Sequence, residues 1–195
     1  MGTPGSERLV KAGFVVMNST TGAVVKVIVF QYNPETLVRR LTAGSVGTTG
    51  GSSVPGNAGV TQTPQETVNF TISLDATDLL ERGDALTQQD GLLPILSALE
   101  LLLYPQTNTF IVWVSGQQRT MPVRITDMAI SEQVFDPMLN PIRADIAVSL
   151  QVLKDADLGN NASGRAIWDG HYAVLQKLSQ AYGSGALSAL GITSV

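Results

Sequence analysis

From Pro141 to Leu153 the chain alternates, with Ile142, Ala144, Ile146, Val148, Leu150 and Val152 on one face and Arg143, Asp145, Ser149 and Gln151 on the other. A period of two sustained over that length belongs to a β-strand with one face covered and the other polar. Such a strand cannot stand alone, so the rest of the chain has to supply a sheet around it. Thr67 to Leu74 repeats the pattern, with Val68, Phe70, Ile72 and Leu74 inward and Thr67, Asn69, Thr71 and Ser73 outward. Further strands are expected at Arg8–Met17, Val24–Tyr32, Leu37–Leu41, Thr109–Ser115 and Met121–Ile130. The Thr109 and Met121 strands are joined by the tight connection Gly116-Gln117-Gln118, a hairpin turn.

Two strands and one turn carry more information than the others. In Val24–Tyr32 both faces are apolar, Val25, Val27 and Val29 on one and Val24, Ile28, Phe30 and Tyr32 on the other. A strand of that kind is expected to be covered twice, by the core and by a helix or another subunit. It ends at Asn33-Pro34, where proline sets its own φ and pushes Asn33 toward extended backbone, so the chain bends before restarting at Leu37. The link Phe135–Pro141 holds two prolines and reads as a rigid turn.

Helices are fewer. Leu92–Tyr104 is apolar nearly all round, with Pro94 in its first turn and Pro105 as its stop, so it is expected to be buried on more than one side. Asp75–Asp90 reads as an acidic connector with a short helix capped by Asp78. Residues 155–164 read as a polar linker, followed by a helix over Arg165–Tyr182 with Trp168, Tyr172, Leu175, Leu178 and Tyr182 on one stripe. Gly183-Ser184-Gly185 ends that helix. The residues thus describe an α+β chain, mainly β. Residues 1–154 form one domain, interrupted by a flexible Gly/Ser/Thr loop at 44–59, and 155–195 form a linker and C-terminal helical extension.

Chemistry is harder to find. The chain has 195 residues, no cysteine and one histidine, so thiolate metal sites, disulfides and cysteine nucleophiles are excluded. His171 lies within the terminal helix, no Gly-x-Ser-x-Gly elbow accompanies it, and it reads as a surface or helix-packing residue. The glycine-rich loop lacks the Gly-Lys-Ser/Thr of a phosphate cradle, and the acidic connector lacks calcium-loop spacing. Tyr32, Trp113 and Trp168 read as packing or interface anchors. No catalytic residue, cofactor or metal is expected, and the chain reads as no enzyme.

Charge and targeting narrow the partners. Net charge is −4, with basic residues gathered in 1–40 and acidic ones in 66–100, an asymmetry able to orient one subunit against another. No aromatic residues interleave the basic positions, so no nucleic-acid partner is expected. The N-terminus shows no signal peptide and no apolar run is long enough for a membrane, so cytoplasmic synthesis without membrane insertion is expected.

Taken in order, Phe30-Gln31-Tyr32-Asn33-Pro34-Glu35-Thr36-Leu37, the segment Glu66–Asp78, Tyr104-Pro105, Phe110–Val114, Val134–Pro137 and Asn140–Ala144 resemble the tube-type proteins of contractile injection systems and contractile phage tails. The likeness spans roughly residues 8–154. It is greatest to the baseplate-proximal tube protein that often carries a LysM module, although residues 155–195 lack the Gly-Asp-Thr opening of such a module. The resemblance implies an antiparallel β-barrel or rolled sheet with one flanking helix. It also implies a sixfold homo-oligomeric ring that links the baseplate and spike to the inner tube, with the sheath as a further neighbour in a phage-tail-like particle. Phe30, Tyr32, Asn33, Pro34, Trp168, Tyr172, Leu175 and Leu178 are the expected inter-subunit contacts. The alternatives are an adaptor at the cap end of the tube and a peptidoglycan-binding, LysM-like protein.

Overall fold

The computed structural model describes residues 10–43, 64–104 and 107–182. Within them lie the strands β1 (Gly13–Asn18), β2 (Val24–Val29), β3 (Leu37–Thr42), β4 (Gln65–Asp75), β5 (Thr109–Val114), β6 (Thr120–Phe135) and β7 (Pro141–Val152). The helices are α1 (Thr77–Glu81), α2 (Ala85–Asp90), α3 (Leu93–Glu100), α4 (Asp155–Leu158) and α5 (Ala162–Tyr182). The strands form one 7-stranded sheet in the order β2-β1-β5-β6-β7-β4-β3, with every neighbouring pair antiparallel.

That order makes β2 and β3 the two edges, although they follow one another in sequence through residues 30–36. The sheet therefore has to roll until its edges approach. Ring contacts record the roll: Phe14 of β1 meets Phe30 edge-on at 5.1 Å and Phe70 of β4 at 6.4 Å. Phe70 in turn stacks on Trp113 of β5 at 5.5 Å. The roll stays open, and no ladder joins β2 to β3, so the barrel form of the expectation gives way to the rolled sheet. Direction supplies the reason. With every neighbour antiparallel in this order, β2 and β3 run the same way, and a parallel pair needs a crossover of about a dozen residues or more. Residues 30–36 are too few.

The core lies inside the roll. β4 contributes Val68, Phe70, Ile72 and Leu74, β7 contributes Ala144, Ile146, Val148, Leu150 and Val152, and Leu96 and Leu99 of α3 close it. Each fully buried large apolar side chain stabilises by about 1.5–3 kcal/mol. Gly13 is required where β1 meets β2, because a Cβ there would lie 2.5 Å from the Ile28 carbonyl oxygen. Gly91, at φ +56, lets the α2–α3 corner touch the base of the β6–β7 hairpin, where Leu92 N–H donates to the Pro141 carbonyl at 2.9 Å.

Several expectations change. β1 starts at Gly13 rather than Arg8, and β6 runs on to Phe135. The helix expected over Leu92–Tyr104 is shorter, and it buries one side only: Leu96 and Leu99 face the roll while Leu93, Leu101 and Leu103 are exposed. The acidic connector holds two helices. Asp78 lies inside α1, and the capping carboxylate is Asp84, which accepts from the Thr87 N–H at 2.9 Å and the Thr87 hydroxyl at 2.7 Å. Those two bonds hold the Asp84 carboxyl below its ordinary value. Where a polar linker was expected, α4 follows directly on β7 and α5 begins at Ala162. The loop at 44–59, Pro105 and Gly183-Ser184-Gly185 lie outside the described residues.

Candidate assembly surfaces

Residues 30–36 are tied down within the chain. The Gln31 side-chain amide donates to the Asp75 carbonyl at 2.6 Å and its oxygen accepts the Asp75 N–H at 2.8 Å. Asn33 does the same for the segment leading into β1, accepting from Ala12 N–H and donating to the Val10 carbonyl, both at 2.9 Å. Two side-chain amides thus stand in for ladder bonds where the sheet cannot close. Phe30 is 2 % exposed and belongs to the core, so it has no surface to offer a neighbour, while Asn33 is exposed with its side-chain amide bonded to Ala12 and Val10. Tyr32 is exposed, with the Lys11 ammonium 5.9 Å from its ring centroid, and Pro34 is half-buried beside it.

Register sorts the outer surface into two unlike faces. On β2-β1-β5, Val27, Val15 and Val112 form one outward row and Val29, Gly13 and Val114 the next. On β6-β7-β4-β3 the corresponding rows are Asp127, Ser149, Asn69 and Val38, then Ala129, Ala147 and Thr71, then Ser131, Asp145 and Ser73. The first face is apolar, and Val24, Val27 and Val29 are left more than half exposed on β2. The double cover expected for this strand is met on the inside by Ile28 and Phe30 and is missing outside, among the described residues. Apart from Val38 at its β3 edge, the second face is small and polar. A groove of about 900 Å³ lies along it, overhung by Tyr32 to Thr36 and lined by Asn69, Thr71, Ser73 and Asp145.

Among the described residues the polar layer ends in two edges without a ladder partner. β6 pairs with β5 only over Thr120–Val123, so from Thr126 to Phe135 it has β7 on one side and no ladder partner on the other among the described residues. β3 is the opposite edge. Because β6, β7, β4 and β3 alternate in direction, β6 and β3 run opposite ways. Arg40 on β3 and Asp127 on β6 point to the same outer face, both exposed.

The β6–β7 turn is an apolar tip on a braced frame. Phe135, Met138 and Leu139 are exposed, the last two at 80 % and 77 %. The Asp136 carboxylate accepts the Met138 and Asn140 N–H groups at 2.8 Å, and the Asn140 amide donates to Asp136 and to the Gln89 carbonyl at 2.9 Å. The Asn140 N–H is the main reason that the Asp136 carboxyl sits below its ordinary value. Val134 (φ 51) and Leu139 (φ 66) occupy left-handed backbone, which a β-branched residue rarely adopts. Neither the tip's exposure nor its strain was visible in the composition.

The terminal helix has two unlike ends. At its root, packed on β6, Trp168 lies against the core, with the Lys154 ammonium 5.7 Å from its ring centroid and Tyr172 stacked at 6.4 Å. His171, expected at a surface or in helix packing, is 4 % exposed. Beside it Glu66, also 4 % exposed, pairs with Arg39 at 2.7 Å. Farther along, Tyr172, Leu175, Leu178 and Tyr182 are exposed, so the stripe that reads as one face is buried only at its Trp168 end. Among the described residues no group of three or more His, Asp or Glu side chains is placed to hold a metal, and no helix is long and apolar enough to cross a membrane.

No family model and no curated protein matches the chain. Among solved structures, the SPP1 tail tube, determined by solid-state NMR and cryo EM, is similar at 15% identity and a TM-score of 0.31, over 73% of each chain. At that score the likeness carries no argument, and the surfaces described above rest on their own geometry.

Proposed function

We propose that the chain is a structural ring subunit of a phage-tail-like contractile particle, linking baseplate and spike to the inner tube and performing no catalysis. The supporting observation is the pair of free edges on one layer. β6 beyond Thr126 and β3 run in opposite directions, so β3 of one copy can continue the antiparallel ladder from β6 of the next. The contact is heterologous, using different patches on the two copies, and its repetition generates a closed ring when the rotation per copy closes. Arg40 against Asp127 gives that contact matching charges on one face. The sixfold copy number and the position at the baseplate end come from the resemblance of Phe30–Leu37, Glu66–Asp78 and Asn140–Ala144 to tube-type proteins. In this reading the exposed α5 stripe and the β2 valines face neighbours in the particle.

Absence of cysteine makes the test direct. Arg40→Cys and Asp127→Cys are placed in one chain, three strands apart in the sheet. At about 4.8 Å per strand that is about twice the span of a disulfide, so oxidation cannot bridge them internally. In assembled particles the expected product is a ladder of covalent oligomers ending at the hexamer. Register is sampled with Ala129→Cys in place of Asp127→Cys. Products that stop at the dimer, or chains that stay monomeric inside particles carrying sheath and tube, would overturn the reading. Labelling intact particles at one end distinguishes the baseplate from the cap.

A further inference from the structure

We propose that α5 is held to the rolled sheet by a proton-sensitive latch centred on His171. The imidazole is sealed between the helix and the end of the roll, and neither Nδ1 nor Nε2 has a hydrogen-bond partner among the described residues. A neutral ring tolerates that position. An imidazolium, with two N–H donors and a positive charge, does not.

The surrounding charges act mostly in the same sense. β4 presents Glu66, but Arg39 of β3 already engages it at 2.7 Å. Arg119 reaches the site from the β5–β6 turn, and Lys154, beyond β7, is 8 % exposed with its ammonium 5.7 Å from the centroid of Trp168, whose ring centroid is 5.9 Å from that of His171. Asp157 of α4 offsets Lys154 and accepts its backbone N–H at 3.1 Å. A proton on His171 would therefore add a positive charge beside Arg39 and Arg119, with Glu66 shared among them and with Lys154. Burial pushes the imidazole below its ordinary value, Glu66 pulls it back, and Arg39 and Arg119 push it down again.

Released into water, the same ring takes its proton at the ordinary value near 6.5. Docking is thus complete above that pH. It weakens as pH falls below 6.5, by about tenfold per pH unit, until the lowered value of the docked ring is reached. The helix carries Tyr172, Leu175 and Leu178 with it, so acid changes which apolar surface the protein presents. The latch needs no assembly and stands apart from the ring reading.

His171 is the sole histidine, so one pair of imidazole proton resonances reports its titration in the full-length protein. The titration is followed together with hydrogen-exchange protection of the amides in residues 165–182 from pH 8 to pH 5. The expected result is an imidazole midpoint below the ordinary value and a tenfold loss of protection per pH unit beneath 6.5. In His171→Phe the protection is expected to be flat with pH, and Arg119→Gln is expected to raise the imidazole midpoint. Protection that is constant with pH in the native chain, or that falls identically in His171→Phe, would overturn the proposal. Should His171→Phe fail to fold, the native titration decides alone: an imidazole titrating at its ordinary value with protection unchanged refutes the latch.

Discussion

The two halves of the sheet share one inner face and differ on the outer one. Over β2-β1-β5 the outward rows are valines with Gly13 among them, exposed along β2 and buried at Val112 on β5, whereas over β6-β7-β4-β3 they are Ser, Thr, Asn, Ala and Asp with Val38 at the β3 edge. Inside, Trp113 of the first half stacks on Phe70 of the second, so a single core holds both. The outer contrast shows where the isolated chain leaves apolar surface to water, which is the β2 end of the first half and not its β5 end, where Val112 is buried. Water hydrates the hydroxyl face at no cost, but exposed Val24, Val27 and Val29 represent burial that the chain has not made for itself.

The largest expected effect tests the shared core. Trp113→Ala should lower stability by about 3–5 kcal/mol in urea denaturation, because it empties the position that joins the halves. A loss below about 1 kcal/mol would mean that the halves are separate units. Next comes the link between the edges. Gln31→Ala leaves the N–H and C=O of Asp75 without their partner and should cost about 1–3 kcal/mol, with m unchanged. Strain at the hairpin tip gives a smaller change of opposite sign: Val134→Gly should stabilise by about 0.5–1 kcal/mol, since glycine accepts φ 51 without a Cβ clash.

Smallest in the isolated chain, yet most direct for the comparison, are matched exchanges on the two outer faces. Val27→Thr and Thr71→Val should each stay within about 0.5 kcal/mol. In assembled particles Val27→Thr should impair incorporation more than Thr71→Val does, as measured by the share of each variant recovered with the tube. Equal incorporation would remove the valine face from the interfaces. A pH series supplies a last check. Asp75, held below its ordinary value by Thr77 and then Arg143, and Asp136, held down by Asn140, contribute stability that is present above the ordinary carboxylate value and lost as pH falls through their lowered ones. Asp136→Asn should flatten that acid limb if the turn contributes to it.

Much of the inner face is legible in the sequence. The apolar alternation in β4 and β7 marks the buried side chains correctly, since a period of two places every second residue on the same face whatever the partner strand. Long helices were less so. The apolar run after Leu92 reads as buried on more than one side, because composition records what a helix can bury and not how much of it another element reaches. In the sequence His171 reads as a surface or helix-packing residue. Its isolation in a charged, sealed site depends on Glu66, Arg39, Arg119 and Lys154, which are scattered through the chain. The inter-subunit residues expected around Asn33 divide likewise, with Phe30 in the core, Asn33 bonded to Val10 and Ala12, and Tyr32 exposed.

By itself the sequence determined local matters: which segments are strands, which side of each is apolar, where proline and glycine turn the chain, and that cysteine chemistry is absent. Each follows from a few neighbouring residues. Tertiary structure decided the order of the strands, and with it the open roll, the two free edges and the site around His171. Pairing direction and register belong to two strands at once. Residues 30–36 fix how far apart β2 and β3 can lie, but only the five strands between them set the directions in which those edges run, and so whether the sheet closes on itself or leaves its edges for a neighbour.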